Sequence, residues 1–350
     1  LKRVLIKRAL LVLLVLLAII ATVAAGLTAQ RALKSLDQPL HVAAPLRFKV
    51  AMGARFSRVA AALAADGVVD EPRAWELYAR WKGLAAGIKA GEYQIDPGMT
   101  PRTLLDRLVS GQVVLHAFTI VDGWRVADLL QALRHDPDVT ATADLDATRL
   151  MDKLGEPGLD AEGRFLPETY LFPLGTTDLE LLRQARAAMT RVLRAAWEGR
   201  DPEIPLKSAD ELLIMASIVE KESGLPEELP IIAGLYLHRL RIGMRLQADP
   251  TVIYGLGDAY DGSLHAVNLH TDGPYNSYTR TGLPPTPIAL PGAAAIAATA
   301  HPRATDALYF VASGRGDGSH VFSATLKQQN AAVADYLAAQ RRRAASESAR

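Results

Sequence analysis

The chain has 350 residues, 49% hydrophobic, 22% charged and 6% aromatic, and its 39 Lys+Arg nearly balance 38 Asp+Glu. That balance argues against a polyanion-binding protein, since nucleic-acid binders carry a basic excess, and charged residues are too frequent for a polytopic membrane protein. Ordinary Gly (26) and Pro (20) contents exclude collagen-like and broadly disordered chains, and the absence of Cys removes disulfides, thiolate metal sites and Cys nucleophiles. About 320 residues beyond an N-terminal segment suit two modest domains better than one core.

Lys2, Arg3, Lys7 and Arg8 precede an uncharged run from Ala9 to Gln30. Its length meets the roughly 20 helical residues that a bilayer core requires. The clustering of basic residues before the run places the N-terminus inside and the remainder outside. The expectation is a retained single-pass anchor over residues 1–30. A cleaved signal peptide is the alternative, with small residues near Val23-Ala24-Ala25, although the apolar stretch exceeds the usual length. Residues 31–45 read as a short stalk.

An internal repeat follows. Phe48, Tyr93 and Phe118 each open the pattern aromatic, apolar, Gly, apolar, apolar at offsets 0, 2, 5, 11 and 15. The glycines are Gly53, Gly98 and Gly123. The pattern predicts a short strand, a Gly turn and an amphipathic helix. Each unit is too small to fold alone, so residues 46–135 are expected to form one subdomain. Residues 136–160 are polar and read as a connection, and residues 162–170 as a turn-rich stretch.

Beyond these come a predicted helix from Asp178 to Trp197, another after Pro205, and a third over about 230–241. Gly/Pro/Tyr-rich loops occupy 243–292. A short helix (292–300), strands over 308–312 and 320–323, and a closing helix over 326–341 complete the expected domain at 161–342, with a frayed tail at 343–350.

The helix after Pro205 carries the chemistry. Ser208 and Glu211 form an S-x-x-E start signal, and Gly224 and Pro226 mark the stop, giving a helix of about Ala209 to Ser223. At ~100° per residue Met215, Ile218, Val219 and Glu222 share one side, while Glu220 projects almost oppositely. Desolvation and the negative helix terminus both raise the pKa of a carboxylate so placed. Glu222 is therefore a candidate general acid of the kind glycosidic-bond cleavage needs. The alternative is a helix-end Glu in water.

Gln247, Asp249, Tyr254, Asn268, Tyr275, Asn276, Tyr278 and Thr279 crowd the following loops. Polar groups beside aromatic faces suit a sugar polymer, with about half of them expected to be structural. A Ser217–Lys221 nucleophile pair lacks an oxyanion-hole signature. No dinucleotide, P-loop or zinc-protease motif occurs, and the histidines show no ligand spacing.

With these residues in place, the chain resembles the endolytic murein transglycosylases of the MltG/YceG-like family. The strings that carry the resemblance are MASIVEKESG (215–224), HRLRIGMRLQADPTVIYG (238–255), YNSYTRTGLPPTPIALPG (275–292), HPRATDALYFVASGRGDGSHVFSATLKQQN (301–330) and GRFLPETYLFP (163–173). His238, Glu168 and Ser223 stand where Asn, Asp and Thr are usual. The resemblance implies an α+β protein with a single N-terminal transmembrane helix, a LysM-like β/α subdomain where the repeats lie, and a mixed α+β lytic transglycosylase domain.

It further implies that Glu222, the second glutamate of the E-K-E-S string, is catalytic. Cleavage would fall on the β-1,4 bond between N-acetylmuramic acid and N-acetylglucosamine, leave 1,6-anhydromuramic acid ends and limit nascent strand length. Peptidoglycan strands would be the substrate and cell-wall synthases candidate partners. The enzyme would need no metal or organic cofactor and bind no nucleic acid. On the loop composition noted above, Gln247, Asp249, Tyr254, Tyr275, Asn276, Tyr278 and Thr279 are the candidate substrate contacts. The location would be the inner (plasma) membrane, with the catalytic domain periplasmic. Two rivals stay open: a lysozyme-like hydrolase using Asp249 as second carboxylate, and a non-catalytic membrane-anchored glycan-binding scaffold.

Overall fold

The computed structural model describes residues 2–348 and shows a mixed α+β protein with one long apolar N-terminal helix. It divides into two compact units, Leu1–His116 with Pro173–Gly175, and Ala117–Phe172 with Thr176–Arg350.

Unit 1 begins with α1 (Lys2–Ser35), of which the 23 residues Leu13–Ser35 are long and apolar enough to cross a membrane and are unburied. The side chains of the basic cluster Lys2, Arg3, Lys7 and Arg8 lie outside the described ones. Then follow β1 (Leu46–Val50), α2 (Phe56–Ala65), α3 (Pro72–Trp81), β2 (Gly91–Ile95) and α4 (Pro101–Ser110). β1 and β2 pair antiparallel with Phe48 opposite Tyr93, the two residues that open the first and second repeats.

The expected stalk is not a free linker. Leu36 and Leu40 are buried in the unit 1 core beside Phe56, Trp75 and Tyr93. Leu40 N–H donates to the Met99 carbonyl (2.6 Å) and His41 N–H to that of Val68 (3.1 Å). Two leucines four apart suffice to dock a short segment whose polar neighbours face water.

Unit 2 takes in β3 (Leu115–Thr119), whose first two residues close unit 1, then α5 (Val126–His135), α6 (Leu150–Leu154), β4 (Thr169–Pro173), α7 (Asp178–Gly199), α8 (Ala209–Glu222), α9 (Leu229–Arg241) and α10 (Asp249–Leu256). After a 3₁₀ turn at Gly257–Ala259 come α11 (Ala266–His270), α12 (Ala293–Ala300), β5 (Tyr309–Ala312), β6 (His320–Ser323) and α13 (Leu326–Ser348). β3 pairs with β4, and β5 with β6 antiparallel.

The repeat is visible in the backbone. Each copy has a five-residue strand, a glycine in the left-handed region (Gly53 φ 70°, Gly98 φ 87°, Gly123 φ 76°) and a ten-residue helix. A side chain at such a φ is strained, which explains the glycine at a fixed offset. The third copy does not join the other two, so the boundary expected after 135 falls at 116/117. Its strand pairs with β4, and Phe118, Ile120, Leu129 and Leu133 are buried with Phe165, Tyr170 and Phe172.

Residues 136–160 are likewise not a mere connection: Leu145, Leu150 and Met151 enter that same core. β4 was hidden by Pro167 and Pro173, yet Tyr170 and Phe172 alternate as buried residues along it. α13 continues to Ser348 rather than stopping at Arg341, since Ala344, Ala345 and Glu347 favour helix and no Gly or Pro interrupts.

Candidate active site

α8 runs through the middle of unit 2's main core. Leu212, Leu213, Met215, Ala216, Ser217, Ile218 and Val219 are all fully buried, so the helix is enclosed on more than the single stripe its sequence suggests. It packs against α7, α9, α10 and α12. Ser208 caps its start by accepting from Glu211 N–H (3.1 Å), while the Glu211 carboxylate accepts from Lys207 N–H (2.6 Å). Such a cap contributes about 1 kcal/mol. Ser223 turns to extended backbone and ends the helix one residue earlier than expected.

The two glutamates at this end leave on different sides. Glu220 is half-buried and accepts from Gly292 N–H (2.9 Å) at the start of α12. Burial raises its pKa, and the nearby Asp122 carboxylate adds to the rise. A Cβ at Gly292 would stand 2.2 Å from Asp122 Oδ1, so a larger residue would have to displace the Asp122 carboxylate. Glu220 thus ties α8 to α12 and does not face open water.

Glu222, also half-buried, accepts from the Tyr236 hydroxyl at 2.5 Å. The protein packed around it desolvates the carboxyl and pushes it up to about 7, and the Asp249 carboxylate pushes the same way. The Tyr236 hydrogen bond and the Arg239 charge oppose this without reversing it. A carboxylic acid titrating near 7 holds its proton at neutral pH and can also release it, the property of a group that acts as acid and then as base.

Tyr236 and Arg239, one turn apart on α9, were not singled out from sequence. Both are buried. Arg239 donates from Nε to the Leu308 carbonyl (2.6 Å) and from a terminal nitrogen to the Leu246 carbonyl. Its guanidinium carbon lies 5.9 Å from the ring centroid of Tyr236 and 5.4 Å from that of Tyr309. Their i,i+3 spacing on the helix predicted over about 230–241 was the available signal.

The loop residues separate into groups. Asp249, exposed at the start of α10, accepts a short hydrogen bond from the Tyr278 hydroxyl; its charge raises the pKa of Glu222, and that of Glu222 raises the pKa of Tyr278. Gln247 is exposed in the left-handed region (φ 50°), held by its N–H donating to the Ser277 carbonyl (3.1 Å). Tyr254 and Tyr275 form an edge-on pair 4.9 Å apart.

Asn276 is buried and spends its amide on the carbonyls of Asn268, Leu269 and Thr271, while its oxygen accepts from Tyr278 N–H. Thr279 donates to Asp272 (2.8 Å). Asn276 and Thr279 therefore shape the loop, and Asn268, which accepts from His265 N–H, does likewise. Ser217 donates to the Ile214 carbonyl and accepts from Ile288 N–H, and Lys221 reaches the Gly123 carbonyl, so both members of the Ser–Lys pair have structural partners.

A second carboxyl went unnoticed. Glu162 is buried, accepts from Val126 N–H (3.1 Å) and from the Tyr254 hydroxyl (3.3 Å), and is pushed by burial up to about 7. A further buried acid, Glu228, joins Ser223 to His320: it accepts from Ser223 Oγ at 3.1 Å and lies 2.6 Å from His320 Nδ1.

Unit 2 therefore presents a half-buried carboxyl of raised pKa at a helix end, near a buried Tyr/Arg pair and an Asp/Tyr pair. The chain belongs to the YceG-like family, whose model matches residues 48–335. It is similar to the endolytic murein transglycosylase of Bacillus subtilis (strain 168), 30% identical over 325 residues, covering 87% of this chain and 89% of that protein. The protein of the same name from Streptococcus pneumoniae is 29% identical over 295 residues, spanning 74% of this chain and 53% of that protein. A crystal structure of a YceG-like protein from Listeria monocytogenes aligns with a TM-score of 0.47 at 24% identity, covering 82% of this chain and 98% of that one.

Proposed function

We propose that this chain is a membrane-anchored endolytic murein transglycosylase, a lyase of peptidoglycan glycan strands, with Glu222 as its acid and base. Family membership and the full-length relative from B. subtilis support the activity. The observation that supports the residue is the Glu222 carboxyl, held near neutral pKa by burial and oriented by Tyr236. Glu222 protonates the glycosidic oxygen between N-acetylmuramic acid and N-acetylglucosamine. As carboxylate it then takes the proton of the muramoyl C6 hydroxyl, which closes onto C1 as the 1,6-anhydro ring. One carboxylate serves twice because the nucleophile belongs to the substrate. Tyr236 fixes the rotamer, and Asp249 and Tyr278 border the same carboxyl. Digestion of purified glycan strands tests the endolytic reading: early products should be strands of intermediate length, and release of single disaccharides from the ends would count against it.

Unit 1 is read as the LysM-like subdomain. Supporting this are two helices between an antiparallel strand pair and a cavity of about 450 Å³ between the β1–α2 turn and the segment before β2, lined by Arg55, Phe56, Glu76 and Arg80 among others. It is read as holding glycan weakly or as serving only to position the catalytic domain. α1 is read as an inner-membrane anchor with the N-terminus cytoplasmic. Protease added to intact spheroplasts should digest units 1 and 2, and full protection would reverse the topology.

A further inference from the structure

The edge of α3 carries a feature that glycan cleavage does not use. Leu77 and Trp81, four residues apart and so on one face, are 67% and 76% exposed. Tyr78 completes the stripe, its ring centroid 6.2 Å from that of Trp81. Lys82 Nζ sits 4.9 Å from the Trp81 ring centroid. Buried Trp75 and Ala79 occupy the opposite, core-facing side of the same helix.

A continuous set of contacts joins this stripe to the end of α1. Ser35 is the last helical residue. Two residues on, Asp37 accepts from Arg102 Nε at 2.6 Å. The Arg102 guanidinium lies 4.5 Å over the ring of Tyr78, which neighbours Trp81. Leu36 and Leu40 are buried in the unit 1 core, so the helix end is fastened to this domain without a spacer.

The bilayer dimensions then set the height of the stripe. The uncharged run ends at Gln30, and Arg31 is the first charged residue after it. Ser35 lies about 6 Å further along the helix axis. The headgroup layer on each side of the hydrocarbon core is about 5–8 Å thick. α1 therefore ends inside that layer, and Tyr78, joined to Asp37 through Arg102, lies within reach of it with Trp81 as its neighbour. Tryptophan and tyrosine favour this depth, and Lys and Arg extend their charged heads there toward phosphates.

We infer that the exposed α3 edge of Leu77, Tyr78, Trp81 and Lys82 is a membrane-interface contact, seated in the lipid headgroup layer beside the anchor helix. This rests on α1 being a membrane anchor. It makes unit 1 a part of the membrane attachment, held by a helix through the bilayer and an aromatic edge upon it.

The test uses the full chain in nanodiscs of phosphatidylcholine and phosphatidylglycerol, prepared with ordinary or with acyl-chain-brominated phosphatidylcholine. Bromine should quench tryptophan fluorescence in the wild type, and Trp81→Phe, which keeps an aromatic ring on the stripe, should abolish most of the quenched intensity. Equal quenching in the two proteins would overturn the inference, as would a Trp81 emission that is blue-shifted yet indifferent to bromine, the signature of a covering protein partner or second copy. Failure of the chain to enter the discs would refute the anchor and this inference with it. Insertion without Trp81 quenching would refute this inference alone.

Discussion

Glu222→Gln should lower turnover of defined glycan strands at least to the upper end of the about 10²–10⁴-fold that general acid–base catalysis supplies, because one group performs both transfers. Gln still accepts the Tyr236 hydrogen bond, so the fold and glycan binding should be kept. Glu220→Gln should cost far less, and its cost should follow the melting temperature, since Glu220 serves the Gly292 N–H at α12.

The pH dependence carries a sign that can be checked. Burial raises the Glu222 carboxyl to about 7, so the protonated, active acid disappears as pH rises through that value and the rate should fall on the alkaline side. A folded-state pKa above the unfolded one contributes stability that is present at low pH and lost as pH rises through about 7. Glu222→Gln escapes that loss and should melt higher than wild type at pH 8. Glu162→Gln removes the other carboxyl raised to about 7 and should leave the alkaline limb of the rate profile in place. A dead, well-folded Glu220→Gln beside an active Glu222→Gln would refute the assignment.

Arg239→Met should give the larger structural effect. It strips the buried Leu246 carbonyl and the part-buried Leu308 carbonyl of their donor. An unsatisfied buried acceptor costs about 1–3 kcal/mol and a part-buried one less, so a loss of about 3 kcal/mol is expected, with a fall in Tm of about 6–12 °C. The Arg239 charge also restrains the pKa of Glu222, so the residual activity should keep its alkaline limb at higher pH than wild type. Thermal melts with a pH–rate profile separate this from a purely structural role, which would lower Tm and leave the limb where it is.

What could be read from the chain follows from the range of the forces involved. The repeat was legible because the glycine at a fixed offset answers a local demand, a left-handed φ between strand and helix. The third copy's place in unit 2 was not, because its strand partner, β4, lies about 50 residues further on, and pairing at that distance leaves no local mark. α8 was legible from its Ser208 cap and its Gly224/Pro226 stop. Its enclosure on several sides was not, since that depends on which helices pack around it.

The polar loop was the least readable part. Asn276 and Thr279 have the chemistry of sugar-binding residues, yet their hydrogen-bonding groups go to the loop's own carbonyls and to Asp272. Composition cannot tell a side chain that holds a loop from one that holds a ligand. Tyr236 and Arg239 were obscured in the opposite way, as two polar residues among the buried apolar ones of α9.

The central claim is that Glu222 hands both protons of an intramolecular ring closure. The masses of the new ends released from purified glycan strands test it most directly. Ends lighter by one water than reducing sugars, the 1,6-anhydro product, are expected from the wild type and should be absent with Glu222→Gln. New ends carrying the full mass of a reducing sugar would mean that water, not the C6 hydroxyl, attacks, and would contradict the account.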